Sequence, residues 1–143
     1  MTQARTSAHP TLYAIDRREP ALRATRCAAC ETTFFPPLGL GCEACGASEA
    51  ALTPVEIAAR GVLRSAATVH VHAGDDIEAP FVVGEIELQD GPRIRGILRD
   101  RSGLGDVEVI GRSVEGVWHP CGPDAEGNEV VELRFRVRDG ATT

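Results

Sequence analysis

The sequence predicts a mainly β protein built from three consecutive parts. Residues 1–24 are predicted to form a tail and a helical arm, residues 25–60 a zinc ribbon, and residues 61–140 a five-stranded OB-type barrel. Three observations lead to this prediction: an early helical spacing, four cysteines in two close pairs, and five short strand-like segments separated by turn residues.

The N-terminal part has the weakest pattern. Residues 1–10 show no hydrophobic periodicity, which predicts a mobile tail. Between residues 11 and 24, several residues recur at a roughly helical spacing: Leu12, Ile15, Glu19 and Leu22. We therefore expect a short helical arm, which Pro20 ends or kinks because proline has no backbone N–H.

Four cysteines form a C-x2-C-x11-C-x2-C array: Cys27, Cys30, Cys42 and Cys45. Each C-x2-C pair curls the backbone so that two sulfurs face one point, and the intervening loop is long enough to bring the pairs together. A closed tetrahedral set of four sulfurs suits a structural Zn²⁺ ion. Gly46 follows the last cysteine, where such a turn commonly needs positive φ.

Other interpretations of the cysteines stay open from the sequence. They include two disulfides, an iron–sulfur centre that transfers electrons, and loss of the metal. No secretory signal is visible in residues 1–11, so we expect a reducing cytoplasmic setting, in which spaced thiols bind metal. Cys121 has no partner in the array, and its role is open.

The segment between the two cysteine pairs is apolar and contains a diproline. Its aromatic residues are expected to shield the sulfurs, or else to join an exposed patch that docks a partner. The candidate docking residues are Phe34, Phe35, Pro36, Pro37, Leu38 and Leu40.

The C-terminal part consists of segments with the sequence pattern of β-strands. The predicted strands cover residues 62–71, 81–88, 93–98, 113–119 and 130–137, with turn residues between them. The last strand alternates cleanly, with Val131, Leu133, Phe135 and Val137 on the face opposite Glu132, Arg134, Arg136 and Arg138. Five strands with little helix fit an OB-type barrel most simply.

Composition restricts the function. The net charge is −6, all 15 basic residues are arginine, and the acidic excess lies in the barrel part. This balance disfavours a nucleic-acid surface, which needs a cationic stripe. Absence of lysine excludes Schiff-base chemistry by a lysine, and no apolar run reaches the ~20 residues that a membrane span needs.

The order of these motifs resembles the "domain of unknown function 35" family, whose members join a rubredoxin-like zinc ribbon to an OB-fold. The likeness spans residues 12–138 and rests on these stretches: Cys27-Ala28-Ala29-Cys30, Phe35-Pro36-Pro37, Cys42-Glu43-Ala44-Cys45-Gly46, Gly61-Val62-Leu63, Thr68-Val69-His70, Ala79-Pro80-Phe81, Glu85-Ile86-Glu87-Leu88, Asp90-Gly91-Pro92 and Val109-Ile110-Gly111-Arg112-Ser113-Val114.

The resemblance implies a non-catalytic accessory subunit. Similar proteins complete thiolase-superfamily enzymes, such as acyltransferases, condensing enzymes and aldolases that act on acyl-CoA thioesters. A hetero-oligomer with a thiolase-like protein is therefore expected, with indirect acyl-CoA contact. The loop that contains Asp75, Asp76, Pro80 and Phe81 is the candidate for a position near the partner's substrate entrance. A free-standing acyl-CoA-binding protein and a nucleic-acid-binding module are the alternatives.

The residues themselves offer little catalytic chemistry. There is no G-x-S-x-G motif and no phosphate-binding glycine loop. Cys121 lies near His119 in sequence, but Pro120 separates them, so we interpret the thiol as incidental. His70 and His72 could form a second metal site with Glu85 or Glu87, although a polar strand face explains them better.

Overall fold

The computed structural model describes residues 4–37, 39–101 and 103–138. Within these ranges, ten β-strands form two sheets, and a single turn of 3-10 helix covers Glu49–Ala51. The strands are β1 (Arg5–Ser7), β2 (Tyr13–Ala14), β3 (Ala21–Cys27), β4 (Thr33–Phe34), β5 (Leu52–Ala58), β6 (Arg60–Val69), β7 (Phe81–Leu88), β8 (Arg93–Asp100), β9 (Ser113–Pro123) and β10 (Glu129–Val137). Leu38 and the predicted boundary residues 1–3 and 139–140 lie outside the described residues.

The predicted helical arm is wrong. The described residues contain no α-helix, and the region instead supplies β2 and β3. Strand β3 pairs with β5 along its whole length, from Ala21 opposite Ala58 to Cys27 opposite Leu52. The strand pairing outweighs the weak helical spacing, because it places Leu22 and Ala24 on the buried face of β3.

The predicted mobile tail is also wrong for part of its length. Residues 5–7 form β1, which pairs in parallel with the start of β10. The Ala8 N–H continues this contact by donating to the Val131 carbonyl at 2.9 Å. A segment as short and polar as β1 has no hydrophobic periodicity. Its pairing with the edge of β10 therefore could not be predicted from its own sequence.

All five predicted barrel strands are present, as β6 to β10. They close in the order β6-β7-β8-β10-β9-β6, with β8 and β10 parallel and the other pairs antiparallel. A closed five-stranded arrangement of this kind is an OB-fold. The division of the chain at residues 24 and 60 stays a prediction.

A β-bulge interrupts the pairing of the first barrel strand, β6, with β7. Leu63 pairs with Ile86, but Ser65 pairs with Glu85, so Arg64 is an extra residue in the ladder. The alternation of inward and outward side chains in β6 therefore reverses after Leu63, and Ala66 packs against the core.

The barrel interior is tightly packed around Phe135. A Cβ added at Gly96 would lie 2.6 Å from the Phe135 ring, so the sheet needs glycine at that position. The same core continues into the N-terminal sheet, because Leu22, Ala24 and Ile57 belong to it. The two sheets thus share one apolar interior.

The part of the chain that the structure describes contains no helix with the length and apolar character needed to cross a bilayer.

Candidate metal centre and flanking surfaces

Two matching turns present the cysteines. Cys27 ends β3, and the Glu31 N–H donates to its carbonyl at 2.8 Å; the Gly46 N–H donates to the Cys42 carbonyl at 2.9 Å. Glu31 and Gly46 occupy equivalent positions and have φ values of 64° and 77°. The prediction of positive φ at Gly46 is confirmed, whereas the first turn places a glutamate in the same strained region.

The four sulfurs have the geometry of a tetrahedral metal site. The Sγ atoms of Cys27, Cys30, Cys42 and Cys45 all lie within 4.8 Å of one another. Cys27 Sγ and Cys45 Sγ are 3.7 Å apart, and Cys30 Sγ and Cys42 Sγ are 3.6 Å apart. Zinc–sulfur bonds of ~2.3 Å give a tetrahedron with edges of about 3.8 Å. The cluster is therefore suited to a zinc ion, and its sulfurs are too far apart to be disulfides.

Electrostatics at the cluster favour a bound cation. The Thr32 hydroxyl, 3.3 Å from Cys30 Sγ, and the Thr32 backbone lower the pKa of Cys30 to about 6. The Ala47 backbone by itself lowers the pKa of Cys45. Burial and the neighbouring thiols together outweigh this effect and raise the pKa of Cys45 to about 12. Sulfurs this close repel each other as thiolates, and a divalent cation removes that repulsion.

A second metal site at the histidines receives no support. Within the described ranges, the cysteine set is the group of three or more potential ligands that lies close enough to hold an ion. His70 is exposed, and His72 Nε2 instead lies 2.9 Å from Asp76 Oδ1. Both histidines lie beyond the end of β6, in the β6–β7 loop, so the polar strand face that the sequence favoured is not where the structure places them.

The apolar segment between the cysteine pairs divides into shielding and exposed residues. Phe34 is 4% exposed and packs with Cys27 and Cys42, so it shields the sulfurs and is absent from the surface. Phe35 is partly buried against the main core. Among the apolar residues of this segment that the structure describes, Pro36, Pro37 and Leu40 remain at the surface, and Leu40 is 96% exposed.

The β6–β7 loop forms one wall of a cavity on the barrel. Asp76, Pro80 and Phe81 line this cavity, whereas Asp75 is exposed and is not part of the wall. The hydrogen bond with His72 lowers the pKa of Asp76, and the His72 ring lies edge-on to Phe81 with centroids 5.4 Å apart. His72 thus contacts residues from two parts of the cavity wall, Asp76 in the loop and Phe81 at its end.

The Cys121 thiol lacks the surroundings of a catalytic nucleophile. Its Sγ lies 3.6 Å from the His119 carbonyl oxygen and 3.6 Å from Glu132 Oε2. Burial and the Glu132 carboxylate raise the pKa of Cys121, whereas an activated cysteine has a lowered pKa.

The aromatic side chains of the barrel do not form a stacking platform. Phe135 is buried, Trp118 packs against the core, and Phe81 is half-buried in the cavity wall. Single-stranded nucleic acids are bound by successive exposed aromatic faces along a basic groove, and these three residues do not provide them.

Sequence reasoning missed the polar side of the cavity. Arg134 and His119 line it together with Arg99, although they come from three different strands. Arg134 occupies an outward position in the alternation of β10, yet it is 6% exposed. No signal in the sequence reveals that burial, because the loop that shares the cavity wall with Arg134 is distant along the chain.

Together, the four-cysteine cluster and the closed barrel define a protein with a zinc ribbon followed by an OB-fold. Residues 16–50 match the family described as "ChsH2, rubredoxin-like zinc ribbon domain", and residues 54–119 match "ChsH2, C-terminal OB-fold domain". The chain belongs to the DUF35 (ChsH2) family, as the order of its motifs predicted.

Two relatives support this assignment. A "DUF35 domain-containing scaffold protein" of Methanocaldococcus jannaschii is 31% identical over 107 residues, which cover 74% of this chain and 73% of the relative. A solved structure described as "Ltp2-ChsH2(DUF35) aldolase" is 32% identical, with a TM-score of 0.59, and the match covers 81% of this chain and 84% of that one.

Proposed function

We propose that this chain is a non-catalytic accessory subunit that docks on a thiolase-like enzyme and completes it for reaction with acyl-CoA thioesters. The observation that carries the proposal is the likeness, along most of both chains, to a protein described as part of an Ltp2-ChsH2(DUF35) aldolase. A relative described as a scaffold protein points in the same direction. A cytoplasmic location is part of this proposal, in keeping with the expected reduced thiols.

The chemistry of the chain supports a role without catalysis. The cysteine sulfurs face one another in a closed set, which leaves no open coordination position for a substrate. The fifth cysteine has a raised pKa and faces a carboxylate. We therefore assign the bond-making groups of the complex to the partner.

One structural zinc ion is the cofactor in this proposal. Cys27, Cys30, Cys42 and Cys45 would hold it, and it would supply charge neutralisation and cross-linking of the two turns. The chain would gain a rigid ribbon whose own apolar interior is very small.

The proposed docking surface consists of Pro36, Pro37 and Leu40, which lie beside the metal site. Exposed apolar residues on the zinc ribbon are suited to contact an apolar surface of a partner protein. The β6–β7 loop, with Asp76, Pro80 and Phe81, is the proposed second contact near the partner's substrate entrance. Phe34 is left out of this surface because it is buried.

Co-purification with the thiolase-like protein encoded in the same genome tests the proposal. The tagged chain should retain the untagged partner through size-exclusion chromatography, and acyl-CoA turnover should require both proteins. Elution of the two proteins as separate peaks, or thioester turnover by this chain alone, would contradict the proposal.

A matched pair of variants tests the docking surface itself. Leu40→Asp places a charge in the proposed interface and should weaken partner retention at least tenfold. Val107→Asp introduces the same charge at a barrel-loop position that is 81% exposed, and it should leave retention unchanged. Equal effects of the two substitutions would exclude this surface.

A further inference from the structure

Strand β5 is an open edge of the N-terminal sheet. It pairs with β3 on one side along all 7 of its residues, and no strand of the described ranges pairs with its other side. A strand of this length spans about 23 Å, at a rise of ~3.3 Å per residue. A long unpaired edge is a template for another strand, and proteins commonly cover such edges or pair them.

The hydrogen bonds at the two ends of the ladder show which backbone groups of β5 face away from β3. The Ala28 N–H donates to the Ala51 carbonyl at 2.8 Å, and the Ala59 N–H donates to the Pro20 carbonyl at 3.2 Å. Every second residue of an antiparallel strand directs its backbone groups to the same neighbour. The odd-numbered residues from 51 to 59 therefore face β3. The even-numbered residues face outward: Leu52, Pro54, Glu56 and Ala58.

Most of these outward groups have no hydrogen-bond partner among the residues that the structure describes. The Leu52 N–H is used, because it donates to the Glu49 carbonyl in the 3-10 turn, and Pro54 has no N–H. The N–H groups of Glu56 and Ala58 and the carbonyls of all the outward residues are left without a partner from that part of the chain. Such groups can form a ladder with an extended backbone that lies along them.

Two residues restrict what can pair with this edge. Pro54 removes one donor from its middle, where an edge strand tolerates proline. The charge of Glu56 is already compensated, since Arg17 Nε and Nη2 donate to its two carboxylate oxygens, both at 2.8 Å. A second copy of β5, paired about a two-fold axis, would lose a bond at each of two prolines. A strand of a different protein loses a bond only at Pro54, so a different protein fits the edge better.

A cavity of about 340 Å³ connects this edge with the proposed docking surface. Pro54, Val55 and Glu56 of β5 line it, and so does Pro37, which belongs to the docking surface. Pro37 and Pro54 are both exposed. A strand that lies along β5 therefore has room beside it for an apolar side chain, next to the surface on which the partner is proposed to dock.

We propose that a segment of the thiolase-like partner adds to β5 as an extra strand. Its backbone bonds to the outward groups of β5, and one of its apolar side chains enters the cavity between Pro37 and Pro54. In this mode of recognition, main-chain hydrogen bonds supply affinity and the side-chain pocket supplies specificity. The inference rests on the proposed function for the identity of the partner, and it adds the place and the form of the contact.

Amide hydrogen exchange of the full zinc-loaded chain, read residue by residue, tests this inference. The chain is measured alone at low and at high concentration, and in complex with the thiolase-like protein encoded in the same genome. In the free chain, the amides of Glu56 and Ala58 should exchange fast, whereas those of Val55 and Ile57, which face β3, should exchange slowly. In the complex, exchange at Glu56 and Ala58 should slow by roughly tenfold or more.

A matched pair of substitutions at one outward position gives a second measurement. Ala58→Pro removes an outward N–H and should weaken retention of the partner in size-exclusion chromatography by roughly tenfold. Ala58→Ser keeps the N–H and should leave retention unchanged. The melting temperature and the zinc content of both variants check their fold.

The outcomes separate this inference from the proposed function. If the complex forms but the Glu56 and Ala58 amides still exchange fast, the strand addition is wrong and the proposed function stands. If no complex forms, both are wrong. Slow exchange of these amides in the chain alone at high concentration would show that a second copy pairs with β5, and it would overturn the inference.

Discussion

Strand β3 enters two interiors of very different size. At one end, Leu22 and Ala24 join a core of at least 15 buried residues that extends through the barrel. At the other end, Cys27 packs with Phe34 and Cys42 in a buried cluster of three described residues. Burial of apolar area can stabilise the first interior but not the second, so we infer that the ribbon depends on its metal.

The largest expected effect comes from breaking the metal site. Cys42→Ser removes one of four ligands, and structural zinc binding contributes on the order of 10–16 kcal/mol in small zinc domains. We expect loss of zinc and a large fall in thermal stability. Metal analysis and calorimetry measure both.

Cys121→Ser is the control for that substitution, because Cys121 lies outside the cluster. It should retain one zinc ion per chain. If Cys42→Ser has unchanged zinc content and melting temperature, the metal does not organise the ribbon.

The next effect concerns the barrel. Phe135→Ala empties the space that Gly96 leaves for the ring, and such truncations cost about 3–5 kcal/mol. Denaturant unfolding should show this loss, while zinc affinity in the folded state stays unchanged.

Phe34→Ala should instead weaken zinc binding, because that ring covers the sulfurs. Equal changes in zinc affinity would remove the distinction between the two interiors.

A smaller effect compares the two cysteine turns. Glu31 and Gly46 are equivalent, and both have positive φ. Glu31→Gly should stabilise the chain by up to about 1 kcal/mol, and Gly46→Ala should destabilise it by about 1 kcal/mol, because a side chain is strained in this region. Thermal unfolding measures whether each substitution stabilises or destabilises the chain. If both substitutions change the stability in the same direction, the two turns are not equivalent.

The smallest effect is a pH dependence on the barrel surface. Hydrogen bonds from Arg64 and then Arg93 lower the pKa of Glu87. A lowered folded-state pKa contributes stability above the ordinary glutamate value, and this stability is lost as the pH falls through the folded-state value. Arg64→Gln should raise the Glu87 pKa in an NMR carboxyl titration, whereas Arg99→Gln should leave it unchanged.

The sequence predicted the parts of the molecule whose patterns are local. The cysteine spacing predicted the cluster, and the alternation in residues 130–137 predicted β10. The first strands were missed because their pairing is not local: β3 needs β5, which begins 25 residues after β3 ends at Cys27, and β1 adds to β10 near the opposite end of the chain.

The cavity shows the same limit more clearly. Its basic residues come from separate strands, and part of its wall is the loop between β6 and β7. His119 and Arg134 are neighbours through the antiparallel pairing of β9 with β10, whereas Arg99 joins them only because the barrel closes by the parallel pairing of β8 with β10. Phe34 and Leu40 lie six positions apart, yet packing buries one and exposes the other.

Hydrogen exchange on the full chain, with zinc and after chelation, tests most directly the claim that metal and apolar packing stabilise different regions. We predict that chelation removes amide protection from β4 and from the turns that carry the cysteines, while protection in β7 and β8 persists. Retained protection in the ribbon after complete removal of zinc, or equal loss in both regions, would contradict the account.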